Sequence, residues 1–140
     1  MRFLKVLTVA AFVLITILIF QTGPHQGSPK YNTATEVKVE GVVQDIQQYW
    51  CSISGEKGTH LMLKTGSDVL EIHLAPDRYL RGNGITFSPN DHLTVIGSIV
   101  MYQGHDAMIA REVTRGAETF AMRRIDGAPM WVESYAPYVR

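Results

Sequence analysis

The stretch GTHLMLKTGSDVLEIHLAP, residues 58–76, decides the fold of this chain. It predicts two strands joined by a turn at residues 65–68, because apolar side chains alternate along both halves. In the register that matches the two apolar faces, Leu63 lies opposite Leu70. A one-residue slip would turn every apolar side chain of one strand to the wrong face, so the stretch predicts a hairpin of fixed register.

The same register places His60 opposite His73 on the other face of the hairpin. Directly opposed residues have Cβ atoms about 4.5–5.5 Å apart, and imidazole ligands suit Zn, Cu and Ni. Glu71 shares that face, diagonal to His60, and is the candidate third ligand. Two other interpretations stay open: a polar cross-strand pair on a solvated face, or two histidines in separate hydrogen bonds.

The single cysteine, Cys51, excludes an intramolecular disulfide and a CxxC metal site. We interpret Cys51 as a half-buried small residue, with a reactive thiol or a metal ligand as the alternative. His92 and His105 lie at predicted strand ends, where turn residues are expected. Cys51, His92 and His105 would join the histidine pair only if the fold brings them near it.

The charge balance argues against a nucleic-acid partner. From Lys30 onward the chain carries 11 Lys and Arg against 13 Asp and Glu, a net charge of 11 − 13 = −2. Nucleic-acid binders carry a basic stripe that neutralises phosphates. The longest basic block here is Arg123-Arg124, which is too short for that role.

Residues 1–22 are predicted to be a membrane anchor or signal segment. Arg2 and Lys5 precede an uncharged apolar run, and residues 3–20 approach the length that spans a bilayer. No small-x-small cleavage site follows, which favours an uncleaved anchor over a cleaved signal peptide. The preceding positive charges keep the N-terminus inside. We therefore expect an inner-membrane anchor with the domain outside the cytoplasm, in the periplasm of a Gram-negative cell.

The remainder divides into a Gly- and Pro-containing linker at 23–35, one domain at 36–131 and a tail at 132–140. Alternating patterns in the domain predict an all-β fold with one short helix. The predicted elements are strands at 36–48, 58–65, 68–76, 92–102, 107–114 and 118–125, and a helical turn at 76–81. A short helix between the third and fourth strands is the layout of the five-stranded OB barrel, so we expect an OB-like barrel of five to six strands.

Four pieces of the sequence, in order, resemble a known family. They are GTHLMLKT (58–65), LEIHLAPDRYL (70–80), IAREVTRG (109–116) and MRRIDGAPMW (122–131). Together they resemble the C-terminal domain of the magnetosome-associated MamS and MamX proteins, over about residues 36–131. The resemblance implies a periplasmic, membrane-anchored OB-like module. Proteins of the MamX type also carry c-type haem motifs, but this sequence has no CxxCH, so a haem function does not carry over.

Two aromatic residues are candidate ligand-binding positions. Trp50 follows Tyr49 and precedes a flexible loop, so it either stacks on a ligand or plugs one end of the barrel. Tyr79 lies in the helical turn beside Leu80, where the pair would cap the other end. Neither position is tied to a particular ligand by the sequence.

Two arginines, Arg111 and Arg124, complete the ligand-binding candidates. Arg111 lies among apolar neighbours, where an arginine needs a carboxylate partner. Glu112 points to the opposite face of its strand, so Glu71 is the predicted partner. Arg111 then either fixes strand register through an ion pair or acts as a fork for carboxylate or phosphate.

No catalytic motif is present: there is no GxSxG, no Gly-rich phosphate loop opening a helix and no HExxH. We therefore expect a non-enzymatic binding or interaction module, tethered to the membrane through residues 3–20, with a protein partner in the periplasm and no resident cofactor. The alternative is a metal-handling accessory protein that uses His60, His73 and Glu71 to hold Zn, Cu or Ni.

Overall fold

The computed structural model describes residues 27–132, and this part of the chain forms a six-stranded sheet with one short α-helix. The predicted all-β fold with one helix is therefore confirmed. The elements are β1 (Glu36–Cys51), β2 (Glu56–Thr65), β3 (Asp68–Pro76), α1 (Asp77–Gly82), β4 (His92–Tyr102), β5 (His105–Arg115) and β6 (Glu118–Ala121), preceded by a 3-10 turn at Thr33–Thr35.

Within residues 27–132, no helix has the length and apolar character needed to cross a bilayer. The predicted anchor at residues 3–20 and most of the predicted tail lie outside the described residues. The described part of the predicted linker, residues 27–35, contains the 3-10 turn and contacts the sheet through a hydrogen bond from Asn32 N to Ser98 Oγ.

The sheet closes on itself. Its strand order is β3-β2-β1-β4-β5-β6, and β3 also pairs in parallel with β5. That second pairing joins Glu71 to Ala107 and His73 to Ile109, so strands β1 to β5 form a closed ring. Strand β6 pairs with a later part of β5. The closed ring encloses one apolar core, which includes Leu61, Leu63, Ile72, Leu74, Val95, Met108 and Val113.

The predicted hairpin register is confirmed. Leu63 lies opposite Leu70, and His60 lies opposite His73. The turn is the two-residue connection Gly66-Ser67, in which Gly66 has φ +65. Positive φ is readily adopted by glycine, so this residue suits a tight turn between the two strands.

Several element boundaries differ from the prediction, and β2 (Glu56–Thr65) and β5 (His105–Arg115) are both longer than predicted. Strand β1 continues past residue 48 to Cys51, because residues 49–51 pair with β2. Strand β6 ends at Ala121 rather than at residue 125, because the next two amides both donate to Arg111 O and the ladder stops there. Helix α1 covers Asp77–Gly82, one residue later than predicted.

Two glycines allow a close approach between neighbouring strands. A Cβ on Gly41 would lie 2.4 Å from Lys64 O, and one on Gly97 would lie 2.3 Å from Ile109 O. The pairing register of Gly97's strand shifts at this residue. Both contacts are with backbone, so neither can be relieved by rotating a side chain. Only glycine therefore lets the strands approach this closely at both positions.

We expect Gly97→Ala to destabilise the protein by about 3 kcal/mol or to prevent folding, because the added methyl would overlap the backbone of β5. Urea unfolding measures the change in the free energy of unfolding. Gly82→Ala is the matched control, since a Cβ there meets nothing within 4 Å. Equal stability of the two variants would contradict the steric role of Gly97.

Candidate metal centre

The face of the hairpin that carries His60 and His73 is buried. Their exposed fractions are 1% and 4%, so the interpretation of a solvated cross-strand pair is wrong. Aromatic rings cover them: the Tyr49 ring stacks on His60 at a centroid distance of 3.8 Å, and Tyr102 meets His73 edge-on at 4.5 Å. The two imidazole centroids are 4.3 Å apart. The pair therefore lies in a second, partly polar core outside the closed sheet.

Residues near the C-terminal end of the described chain cover this face. Arg123 and Trp131 line a cavity together with His60 and His73. Tyr31 packs against Gly127, whose missing side chain leaves room for the tyrosine ring. Burial of the histidines therefore depends on segment 122–131 as well as on Tyr49 and Tyr102.

Cys51 joins the histidine pair. It is buried at 4% exposure, and its Sγ lies 3.4 Å from His73 Nδ1. The thiol reaches this position because β1 extends to residue 51 and residues 49 and 51 share one strand face. The same alternation places Tyr49 against His60. Cys51 is therefore fully buried, whereas the sequence was interpreted as giving a half-buried residue.

Cys51, His60 and His73 form a group with metal-ligand geometry. Each offers one donor atom, and these atoms all lie within 4.8 Å of one another. A tetrahedral metal with bonds of about 2.3 Å to sulfur and about 2.0 Å to nitrogen holds those two donors about 3.5 Å apart. The observed 3.4 Å between Cys51 Sγ and His73 Nδ1 is close to that separation. Little movement of these two donors would be needed to bind an ion.

Glu71, predicted as the third ligand, lies behind the imidazoles instead. Its Oε1 is 3.1 Å from His60 Nδ1 and 3.4 Å from His73 Nε2, and its Oε2 is 3.0 Å from His105 Nε2. Tyr49 also donates its hydroxyl to this carboxylate. Carboxylates placed in this way orient metal-binding histidines through the ring nitrogen that does not face the metal. The arrangement leaves His60 Nε2 and His73 Nδ1 as the donor nitrogens.

One contact in this network is incomplete. Although His73 Nε2 lies 3.4 Å from the Glu71 carboxylate, it has no partner in hydrogen-bond geometry among the described residues. Buried polar atoms are usually paired, since an unpaired one costs desolvation free energy. A small rotation of the His73 ring would complete this bond, and a metal on Nδ1 would favour such a shift.

The environment keeps both imidazoles neutral. Burial lowers the pKa of His60, and burial together with the nearby His60 lowers the pKa of His73 to about 4. Burial tends to raise the pKa of the Glu71 carboxyl, but hydrogen bonds from Tyr49 and His105 outweigh it, so that pKa is lowered. A neutral imidazole beside an ionised carboxylate is the protonation state that metal binding requires.

The cavity between these groups is small. It offers about 10 Å³ of room for the centre of a water-sized particle and is lined by Cys51, His60, His73, Arg123 and Trp131, among others. A space of about that size holds a single water or ion. An organic substrate would not fit.

The candidate ligand-binding residues Trp50, Tyr79 and Arg124 do not line this cavity. Trp50 is 68% exposed, so the interpretation that it plugs the barrel is wrong; β1 carries it beyond the core. Tyr79 donates its hydroxyl to Ala121 O, and its ring lies 5.9 Å from that of Trp131. Arg124 forms an exposed ion pair with the Asp126 carboxylate at 3.6 Å.

The prediction that Arg111 pairs with Glu71 is also wrong. Its guanidinium makes two hydrogen bonds of 2.9 Å to the Glu36 carboxylate, not to Glu71. Glu36 on β1 pairs with Ser98 on β4, and Ser98 pairs with Ile109 on β5. This register brings Glu36 beside Arg111. Glu71 pairs with Ala107, four residues from Arg111, about 13 Å along the strand. Arg111 thus ties β1 to β5.

The sequence placed Cys51 and His105 in this region only if the fold brought them near, and it gave Arg123 no role here. A signal for Cys51 was present, because continuing the β1–β2 pairing past Tyr49 puts Cys51 on the same face as His60. His105, predicted to be a turn residue, begins β5 and contacts Glu71. His92, also predicted at a turn, begins β4 and is exposed away from the cluster.

The family model described as the MamS/MamX magnetosome protein family matches residues 35–120. The chain belongs to this family. The resemblance seen in the sequence is therefore confirmed, and the matched range contains Cys51, His60, Glu71 and His73. The matched range ends before Arg123. Segment 122–131, which covers the site, therefore lies outside the match to the family model.

A comparison with curated proteins gave no match. Among solved structures, a chain of the S. pombe Stn1–Ten1 complex is similar to this family member at 18% sequence identity and a TM-score of 0.47. The alignment covers 59% of each chain. A likeness at this level carries no argument about function.

We expect the metal-free protein to lose about 2 kcal/mol of stability between about pH 7.5 and about pH 5, as measured by urea unfolding. His73 has a pKa of about 4 in the folded protein and an ordinary value of 6.5. Below pH 6.5 the unfolded chain therefore binds a proton that the folded chain excludes, and stability falls as the pH falls.

His73→Gln should flatten much of this dependence, because it removes the excluded proton. His92→Gln is the control, since His92 is exposed and should leave the dependence unchanged. Carboxylates titrate mostly at lower pH and contribute little in this window. An equally steep loss of stability in His73→Gln would contradict the burial of a neutral imidazole.

Proposed function

We propose that this MamS/MamX family domain binds one metal ion through Cys51, His60 and His73. The observation that carries the proposal is the convergence of three buried donor atoms within 4.8 Å. Neutral imidazoles and an orienting Glu71 carboxylate supply the environment that such a site needs. Glu71 then supports the ligands from behind and is not one of them.

The donor set favours copper or zinc among the candidate ions. Thiolate selects Cu(I) and Zn, whereas imidazole accepts Zn, Cu, Fe and Ni. Structural zinc sites use four protein ligands, but three converge here, which leaves a coordination position for another molecule. An open position suits an ion that is carried and exchanged. We therefore favour metal handling over a structural role for the ion.

The competing interpretation treats Cys51 and His73 as a nucleophile and its base. The 3.4 Å contact between Sγ and Nδ1 favours it, because activated cysteines lie within reach of a histidine. Two observations weigh against it. The cavity holds only a water-sized particle, and His60 completes a third donor position that a nucleophile–base pair does not need.

We further propose that the domain is an OB-like barrel tethered to the inner membrane through residues 3–20 and lying in the periplasm. The closed five-stranded ring with α1 between β3 and β4 supports the barrel. The apolar N-terminal sequence supports the tether. A tethered metal carrier must exchange its ion with another molecule, so a periplasmic protein partner is part of the proposal.

Metal titration of the full-length chain in detergent tests the proposed site. Equilibrium dialysis against Zn²⁺, Ni²⁺ and, under reducing conditions, Cu⁺ should give one ion per chain, with Zn²⁺ or Cu⁺ bound more tightly than Ni²⁺. Bound metal should also protect Cys51 from alkylation by iodoacetamide. We expect Cys51→Ser to weaken binding by at least about 100-fold, since even outer-shell changes cost about 10- to 100-fold.

His92→Gln serves as the control for adventitious histidine binding, because His92 is exposed and away from the cluster. Stoichiometric binding that survives both Cys51→Ser and His60→Gln would overturn the assigned ligands. Absence of binding to the folded wild-type protein would overturn the metal function. Rapid alkylation without metal, in a protein that binds none, would favour the nucleophile.

Glu71→Gln should weaken metal binding by about 10- to 100-fold while leaving the stoichiometry at one ion per chain. The amide keeps the shape of the carboxylate but removes the charge that fixes the two imidazoles. Isothermal calorimetry measures the affinity. Glu112→Gln is the control, since that carboxylate lies on β5 and contacts Arg111. Complete loss of the ion in Glu71→Gln would instead make Glu71 a direct ligand.

A further inference from the structure

Arg123 is a buried cation beside the proposed metal site. Its residue is only 9% exposed, and among residues 27–132 no carboxylate forms an ion pair with it. One terminal nitrogen donates to Gly127 O at 2.9 Å, and the guanidinium carbon lies 4.9 Å from the Trp131 ring centre and 5.5 Å from that of Tyr31. Aromatic faces and one carbonyl thus replace the anionic partner that a buried charge normally has.

The Nε atom of Arg123 is unsatisfied. It is buried and has no hydrogen-bond partner among the described residues. Burial of the group also lowers its pKa, because the charged form is poorly solvated there. A buried donor without an acceptor costs desolvation free energy, more so when it carries charge. A ligand that accepted a hydrogen bond from Nε would explain why this donor is buried.

The cavity brings this donor and the metal ligands together. Arg123 lines it alongside Cys51, His60 and His73. Three protein ligands leave one position open on a tetrahedral ion. An anion in that position would meet both the metal and a guanidinium, and charge-assisted hydrogen bonds to anions are among the stronger ones in proteins.

We propose that an anion with a single heavy atom, such as a halide, hydroxide or hydrosulfide, completes the coordination of the ion and accepts a hydrogen bond from Arg123. This inference rests on the proposed metal function. The structure limits the size of the anion. The metal ion would lie among its three ligands, and the water-sized room beside them suits an anion with one heavy atom better than a tetrahedral oxyanion such as sulfate.

Cobalt(II) is a suitable probe, because its d–d spectrum reports the ligands of the ion. The full-length chain in detergent is loaded with Co²⁺ and titrated with bromide or with sulfate at equal ionic strength. Bromide should change the spectrum in a saturable manner, and sulfate should not. In Arg123→Gln the bromide affinity should fall by about 10-fold or more, while the Co²⁺ affinity stays within about threefold.

Arg124→Gln is the matched control, because this neighbouring arginine is half exposed and does not line the cavity. It should bind bromide as the wild type does. Arg123→Lys keeps the charge without the Nε donor and should give an intermediate affinity; it also tests the site if Arg123→Gln fails to fold, which circular dichroism will show.

The outcomes separate the two proposals. If Co²⁺ gives no thiolate-to-metal absorption with the wild type, the metal function fails. If Co²⁺ binds with that absorption but bromide leaves the spectrum unchanged, or binds equally well to Arg123→Gln and Arg123→Lys, the role of Arg123 fails and the metal function stands. Equal effects of bromide and sulfate would overturn the size limit.

Discussion

The parallel pairing of β3 with β5 is the constraint on which the rest of the structure depends. It closes the sheet and fixes His73 opposite Ile109. Without this pairing β3 would be an edge strand, and the outer face of the hairpin would meet water. With it, Tyr102 reaches His73 and the segment 122–131 covers the face. Closure of the sheet and burial of the candidate ligands therefore depend on the same strand pairing.

The pairing of His60 with His73 was predictable because it follows from local rules. A period of two and the matching of apolar faces leave one register for a hairpin with a short turn. Burial of that pair was not predictable, because the covering residues Tyr49, Tyr102, Arg123 and Trp131 come from separate parts of the chain. The place of Cys51 stayed conditional for a related reason: it depends on where β1 ends, and strand ends are weakly encoded.

Arg111 and Arg123 show which contacts local sequence rules can predict and which they cannot. The need of Arg111 for a carboxylate was correctly inferred. The choice of Glu36 over Glu71 depends on the strand order, in which β4 lies between β1 and β5. Arg123 departs from the rule, since it is buried without an ion pair among the described residues. Its environment of Trp131, Tyr31 and one carbonyl carries no signal in a single sequence. Partner choice across a sheet is a property of the topology, which propensities do not determine.

The energetics of the buried cluster connect the fold to the proposed function. Two neutral histidines, a thiol, a carboxylate and a guanidinium would cost less free energy if apolar side chains of similar volume replaced them. Glu71 offsets part of this cost through the hydroxyl of Tyr49 and the imidazole of His105. A ligand that binds only the folded state adds stability in proportion to the logarithm of its concentration over its Kd. A metal ion bound to the thiol and the imidazoles would supply that stability, which gives a physical reason for a small domain to keep such a cluster.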